Sequence, residues 1–350
     1  MELVKELNET VDSLSFVVER KLMSMEDYFD SLNDYDIAGS AVNKYGNLTR
    51  SDIRGVVVET SSDKFGIILG HEFNPIVYRG MNNDWVFMPD SQRYELFDGK
   101  ERIRHSINWI KKQEFLKLMS GTPYFTRISD YKISGHSYKL DTEAISKHFN
   151  YMSDYVDVTR SMEVAYFFAY TYYDNEKKQY LPIENFENYT PIIYAGSLRE
   201  LYYQVPDSVK NICWQPFQRT KLQQTMSINT SGDWQGIQRL FRKIPLAKNS
   251  AISKYIYDLF EGGVKLFPND YISRCAAQVR DYKTLHNDLI SKYCEDTKTD
   301  EVWLRSELEK LEYEFVDQPW YIPEQANNII NSELDDYIFS YLSHGFSYGK

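Results

Sequence analysis

Three stretches decide the fold: Gly55-Val56-Val57-Val58-Glu59, Phe65-Gly66-Ile67-Ile68-Leu69-Gly70 and Ile76-Val77-Tyr78-Arg79-Gly80. Each is short, rich in β-branched or aromatic residues and bounded by turn formers, which is the pattern of a β-strand. The polar turn Ser61-Ser62-Asp63 joins the first two as a hairpin, and Asn74-Pro75 breaks the chain before the third. Upstream the period changes. Leu3, Leu7, Val11, Leu14, Val17 and Val18 recur at spacings of three and four, a helical stripe that predicts a helical N-terminal cap. Downstream, Ile103, Ile107, Ile110, Phe115 and Leu118 mark one face of a helix over residues 101 to 119. Pro191-Ile192-Ile193-Tyr194-Ala195 predicts a strand followed by a short helix. After Pro245 the chain reads mostly helical, and Trp303 to Phe315 alternates charged and apolar residues as a surface helix does. These elements predict an α+β fold with helical N- and C-terminal flanks.

The chain has 350 residues, enough for two modest domains or one large one, and 42% are hydrophobic. No run of about 18 apolar residues occurs, so no membrane partner is expected. The start, Met1-Glu2-Leu3-Val4-Lys5-Glu6, is charged where a secretory signal would be basic and then apolar, and a cytoplasmic address is expected. Cys213, Cys275 and Cys294 have the spacing of neither a disulfide framework nor a metal site, so buried thiols and no metal are expected.

Charge is uneven along the chain. Residues 281 to 350 hold 15 acidic and 6 basic side chains, a net of -9 out of a total of -11, which leaves the first 280 residues near neutral. A phosphate-bearing ligand is therefore compatible with an acidic protein, and the acidic tail is the surface on which a partner protein would dock. Duplex DNA is not expected, because the densest basic stretches, Lys111-Lys112 and Arg239 to Lys243, are small.

Three constellations carry chemistry. Tyr78-Arg79-Gly80-Met81, with Pro89 and Arg93 following, sets a planar fork of donors at a strand end. Such an arginine suits a pyrophosphate, or serves in an ordinary surface ion pair. His148 to Thr159 gathers an imidazole, the carboxylate of Asp157 and hydroxyls, and leads through Ser161 into the apolar helix Val164-Ala165-Tyr166-Phe167-Phe168-Ala169. Thr159 or Ser161 would cap that helix, or meet an anionic ligand at its start. His148 and Asp157, nine residues apart, are expected on different turns of one loop, where the carboxylate can orient the imidazole. Arg219-Thr220-Lys221-Leu222-Gln223-Gln224 is the third, and its glutamines can bind amides and hydroxyls but cannot act as acid or base.

Taken in order, Tyr78-Arg79-Gly80 with Pro89 and Arg93, His148 through Thr159 with Ala165 and Phe168-Ala169, Arg219 with Gln223, then Ile244-Pro245 and Leu266-Phe267-Pro268 resemble the motifs of the FRG domain family. The family's middle block runs Gln-His-Tyr-Gly-Leu-Pro-Thr-Arg-Leu-Leu-Asp-Trp-Thr. This chain keeps His148, Asp157 and Thr159 in register and departs at Lys147, Asn150, Met152, Asp154 and Val158, and again at Thr225 and Ser227. The likeness covers about residues 75 to 275. It divides the chain into a cap and hairpin (1–70), an FRG-like domain (71–280) and an acidic helical tail (281–350).

The layout is similar in turn to the arginine, serine, glutamate order of ADP-ribosyltransferases, and so implies an ADP-ribosyltransferase-like core sheet. The resemblance implies NAD as substrate, held by Arg79, Gly80, Thr159, Ser161 and Arg219, with His148, Asp157 and Gln223 catalytic. It implies a transferase or NAD glycohydrolase acting in toxin or antiphage defence, with a protein or RNA acceptor. Gln223 supplies no negative charge to a cationic transition state, so either Asp157 serves there or the chain is a non-catalytic module binding a nucleotide or a protein.

Overall fold

Strand Ile76–Met81 sorts its side chains to two sides, and that alternation organises the protein. Val77 and Met81 join one buried cluster, Ile76 and Tyr78 another. The computed structural model describes residues 55–61, 64–69, 76–92, 99–122, 125–126, 132–133, 136–138, 140–205, 208–210 and 217–318. The N-terminal helical stripe, Arg93, Cys213 and everything after residue 318 lie outside the described residues.

The elements begin with β1 (Gly55–Ser61), β2 (Lys64–Leu69), β3 (Ile76–Met81), α1 (Gly99–Ser120), β4 (Lys132–Ile133), β5 (His136–Tyr138), α2 (Thr142–His148) and β6 (Tyr155–Thr159). There follow α3 (Met162–Tyr170), β7 (Thr171–Asp174), β8 (Gln179–Pro182), β9 (Ile192–Ser197), α4 (Leu198–Gln204), β10 (Val209–Lys210), α5 (Gln218–Leu222) and β11 (Thr225–Asn229). The chain goes on through α6 (Trp234–Arg239), β12 (Phe241–Pro245), α7 (Ser250–Leu259), α8 (Tyr271–Asp281), β13 (Thr284–His286), α9 (Asn287–Thr297), α10 (Glu301–Lys310) and β14 (Glu314–Val316). Helix and sheet are mixed and the main sheet is antiparallel, an α+β architecture.

That sheet has six strands in the order β10-β11-β6-β3-β9-β12, every neighbour antiparallel. The expected hairpin is present as β1 paired with β2, and it belongs to a separate four-stranded sheet, β1-β2-β5-β4. At the centre of the large sheet, β3 pairs with β9 along six residues but with β6 at the single pair Tyr78 and Thr159. Beyond that pair a side chain bridges the two strands: Arg79 Nη1 donates to the carbonyl of Asp157 at 2.6 Å.

One side of the sheet carries Val77, Val156, Val158, Ile192, Tyr194, Met226 and Ile228 against Phe115, Leu118 and Met119 of α1 and Ile272, Cys275 and Val279 of α8. The other side is covered by α3, which is buried on nearly every face because α7 packs behind it through Ile252 and Ile256. Ser161 is the N-cap of α3, its Oγ accepting from the Val164 N–H at 3.2 Å. A third core joins Ile103 and Ile110 of α1 to Leu285, Leu289, Ile290, Leu304 and Leu308. Trp303 to Phe315, expected as one surface helix, splits into α10 and the strand β14, because the chain turns at Glu312 (φ 63) and Phe315 pairs with Leu285. Among the described residues no helix is long and apolar enough to cross a membrane.

α3 approaches β3 so closely that Gly80 cannot carry a side chain. A Cβ there would stand 1.7 Å from the Ala165 carbonyl oxygen, a backbone atom with no freedom to move aside. Gly80→Ala is expected to destabilise the protein by about 1–3 kcal/mol or more, the cost of forcing packed elements apart. Urea unfolding of the variant checks this, and an unchanged midpoint would show that the strand and helix can separate freely.

Candidate functional site

Helix α2 ends where the main sheet meets α5, and its last turn delivers Lys147 and His148 to a cavity of about 550 Å³. The chain then turns through Asn150, whose φ of 65° lies in the left-handed region that asparagine tolerates better than most residues. It returns as β6 with Asp157 in mid-strand. His148 and Asp157 are thus held by a helix end and a strand, and not by two turns of one loop. The alternation of Val156 and Val158 on the core side is what makes residues 155 to 159 a strand. α5 contributes Arg219 and ends at Gln223, and the segment after α7 contributes Phe267.

The imidazole Nε2 of His148 stands 3.4 Å from Asp157 Oδ1, a contact that falls short of hydrogen-bond geometry. The same Oδ1 accepts from Ser227 Oγ at 2.8 Å, across the β6–β11 register that sets Asp157 opposite Ser227. Burial pushes the His148 pKa below its ordinary value, and the Arg219 charge adds to this. The Asp157 carboxylate and a hydrogen bond with Gln223 oppose it. The result is a neutral imidazole beside a carboxylate that keeps 29% of its side chain exposed.

Cations surround this pair. Lys147 is ion-paired with Asp90, from the loop after β3, yet burial pulls its amine down to about 8; the nearby Asp157 resists this and Arg79 adds to it. Arg219 lies with its guanidinium carbon 4.6 Å from the Phe267 ring centre, and burial lowers it to about 10. Phe267 stacks on Tyr180 of β8 at 4.9 Å and 21°, and burial raises that phenol to about 12. Arg104 and Asn108, one turn apart on α1, complete the lining with Phe168 of α3. The lining therefore holds three cations, Arg104, Lys147 and Arg219, and two carboxylates, Asp90 and Asp157.

Of the eight residues expected to form the site, His148, Asp157, Arg219 and Gln223 line this one cavity. Gln223 is anchored, its Nε2 donating to the Leu266 carbonyl at 3.0 Å. The other four lie outside the lining and have local work. Arg79 holds the Asp157 backbone and lies over the Phe87 ring. Gly80 admits α3, and Ser161 caps it. Thr159 is buried, its Oγ1 donating to the Gln223 carbonyl at 2.6 Å and accepting from the Ser161 N–H at 3.0 Å. Sequence reasoning missed Asp90, Arg104, Asn108 and Tyr180 as site residues. Arg104 and Asn108 carry a weak signal in their spacing of four on one helix face; Tyr180 carries none. Among the described residues no group of His, Cys, Asp or Glu gathers as a metal site would.

The neutral state of His148 has a thermodynamic consequence. Its folded pKa lies below that of the unfolded chain, near 6.5, so acidification through that value protonates the unfolded state first. Stability is fully present above about pH 6.5 and falls as the pH drops, by at most about 1.4 kcal/mol per pH unit for one group. His105 and His286 are lowered by burial too, so His148→Asn is expected to shrink the acid slope without abolishing it. Denaturant unfolding between pH 7.5 and 5 measures this, and an identical slope in the variant would mean that His148 takes up its proton in the fold. In comparison with known proteins, the chain matches no family model, no curated protein and no solved structure, so the cavity's own chemistry has to carry the functional reading.

Proposed function

We propose that this cavity binds NAD and that the chain is an FRG-like ADP-ribosyltransferase with a macromolecular acceptor, its main sheet being an ADP-ribosyltransferase-like core. The observation that carries the reading is a fixed, partly exposed carboxylate, Asp157, beside a desolvated neutral imidazole, His148. In this reading the bond between the ribose anomeric carbon and the nicotinamide nitrogen breaks, and nicotinamide leaves with the electron pair. The Asp157 charge stabilises the ribosyl cation, the part that Gln223 cannot play. The acceptor nucleophile bonds to the anomeric carbon and its proton passes to His148. The backbone at Asn150 also supports the resemblance, because a left-handed residue stands where the family motif has glycine.

One observation favours a second reading, a nucleotide-binding module without turnover. Arg79, the counterpart of the arginine that holds NAD in the ADP-ribosyltransferase layout, donates to the Asp157 carbonyl and lies outside the cavity lining. Nicotinamide release from NAD, with and without cell extract, separates the two. On the transferase reading Asp157→Asn lowers release by about 10²–10³ while NAD affinity stays within a few-fold. NAD binding with no nicotinamide released establishes the module instead; a wild-type protein that does not bind NAD overturns the transferase reading, and one that binds no nucleotide overturns both.

A further inference from the structure

Lys147 and Asp90 have no role in the chemistry above, yet both line the cavity and pair with each other. Their side chains are 18% and 35% exposed, and Asp90 comes from a loop fastened on either side of it. Its neighbour Ser91 bonds through its N–H to the Ser153 carbonyl and through its Oγ to Asp154, while the Gln92 N–H closes a turn onto the Pro89 carbonyl. The loop thus presents one carboxylate to one lysine inside a cavity that two arginines also line. Arg219 has a buried Nε without a hydrogen-bond partner among the described residues.

We propose that Lys147 is the phosphate-binding group of this site and that Asp90 is a built-in anion holding the phosphate's seat, displaced when a diphosphate-bearing ligand enters. The proposal deepens the NAD reading, which supplies the diphosphate, and rests on it for the cavity being the ligand site.

A carboxylate brings one negative charge and two acceptor oxygens. The diphosphate of NAD carries one charge and two non-bridging oxygens on each phosphate, so as a whole it doubles what the carboxylate brings and can reach a second cation as well. Arg104 and Arg219 are the second cations in the lining, and an arginine fork grips phosphate oxygens in pairs. Lys147 stands in the last turn of α2, where the helix dipole favours a cation and disfavours an anion. The lysine therefore has to provide the attraction itself. Burial of its amine is costly, which the ion pair with the partly exposed Asp90 offsets and a diphosphate shared with the arginines would offset further; the depressed amine pKa of about 8 accords with the burial.

Calorimetric titration of the full chain with inorganic pyrophosphate tests the seat without any glycosidic chemistry. Wild type is expected to bind, Asp90→Asn to bind about fivefold tighter or more, and Lys147→Met to bind about tenfold weaker or worse. Lys147→Arg, which keeps the charge, should stay within a few-fold of wild type and guards against a folding defect. Weaker or unchanged binding in Asp90→Asn overturns the proposal, as does undiminished binding in Lys147→Met or no binding by wild type. If nicotinamide is never released while pyrophosphate follows this pattern, the transferase reading fails and the seat stands. If nicotinamide is released but pyrophosphate ignores both variants, the seat alone fails.

Discussion

The hydrogen bond from Arg79 to the carbonyl of Asp157 holds the rest of the site in register. It bridges the two central strands beyond their one shared pair, where the backbone ladder no longer does so. A charged donor on a part-buried carbonyl is worth about 1.5–3 kcal/mol. Its larger effect is positional. Fixing the peptide of Asp157 fixes the direction of its side chain, which Ser227 on the next strand then secures at Oδ1. The close contact of Gly80 with Ala165 sets the same strand against α3 from its other side, so that β3 is placed by a backbone contact and an arginine together.

Much of this was legible in the sequence where the pattern had one cause. The helix at 101–119 and the strand at 192–195 follow a single period, and the cap at Ser161 follows from its hydroxyl before an apolar run. The strand at 155–159 was harder to see. Val156 and Val158 alternate with Asp157 and Thr159 as a strand requires, but the run is short and follows the polar pair Ser153-Asp154, so it reads equally well as the end of a loop. Thr159 and Ser161 show the same ambiguity. A hydroxyl near a helix start reads equally well as a ligand contact, and only their partners, the Gln223 carbonyl and the Val164 N–H, decide the matter.

The cavity itself joins residues too distant for any spacing rule. Phe267 reaches the lining because Gln223 ties the Leu266 carbonyl, and Tyr180 reaches it by stacking on Phe267. The two aromatic rings then make a low-polarity wall beside Arg219 and the His148 and Asp157 pair. That wall is a reason the imidazole stays neutral, since a proton on His148 would lie among desolvating surroundings and close to the Arg219 charge.

An acidic chain can hold such a site because electrostatics at this scale is local. Exposed charges more than about 8–10 Å apart are screened at physiological salt, while charges that share a poorly solvated cavity are not. Most of the acids of α9 and α10 are exposed, where solvent and salt screen their contribution to the overall charge of -11. What an entering ligand meets is Arg104, Lys147 and Arg219 against Asp90 and Asp157, with His148 contributing no charge. On the transferase reading we propose, protonating His148 would add to the cationic side and weaken the Asp157 field that a ribosyl cation needs. On that reading, the same desolvation that costs the fold stability in acid would keep the carboxylate effective near neutral pH.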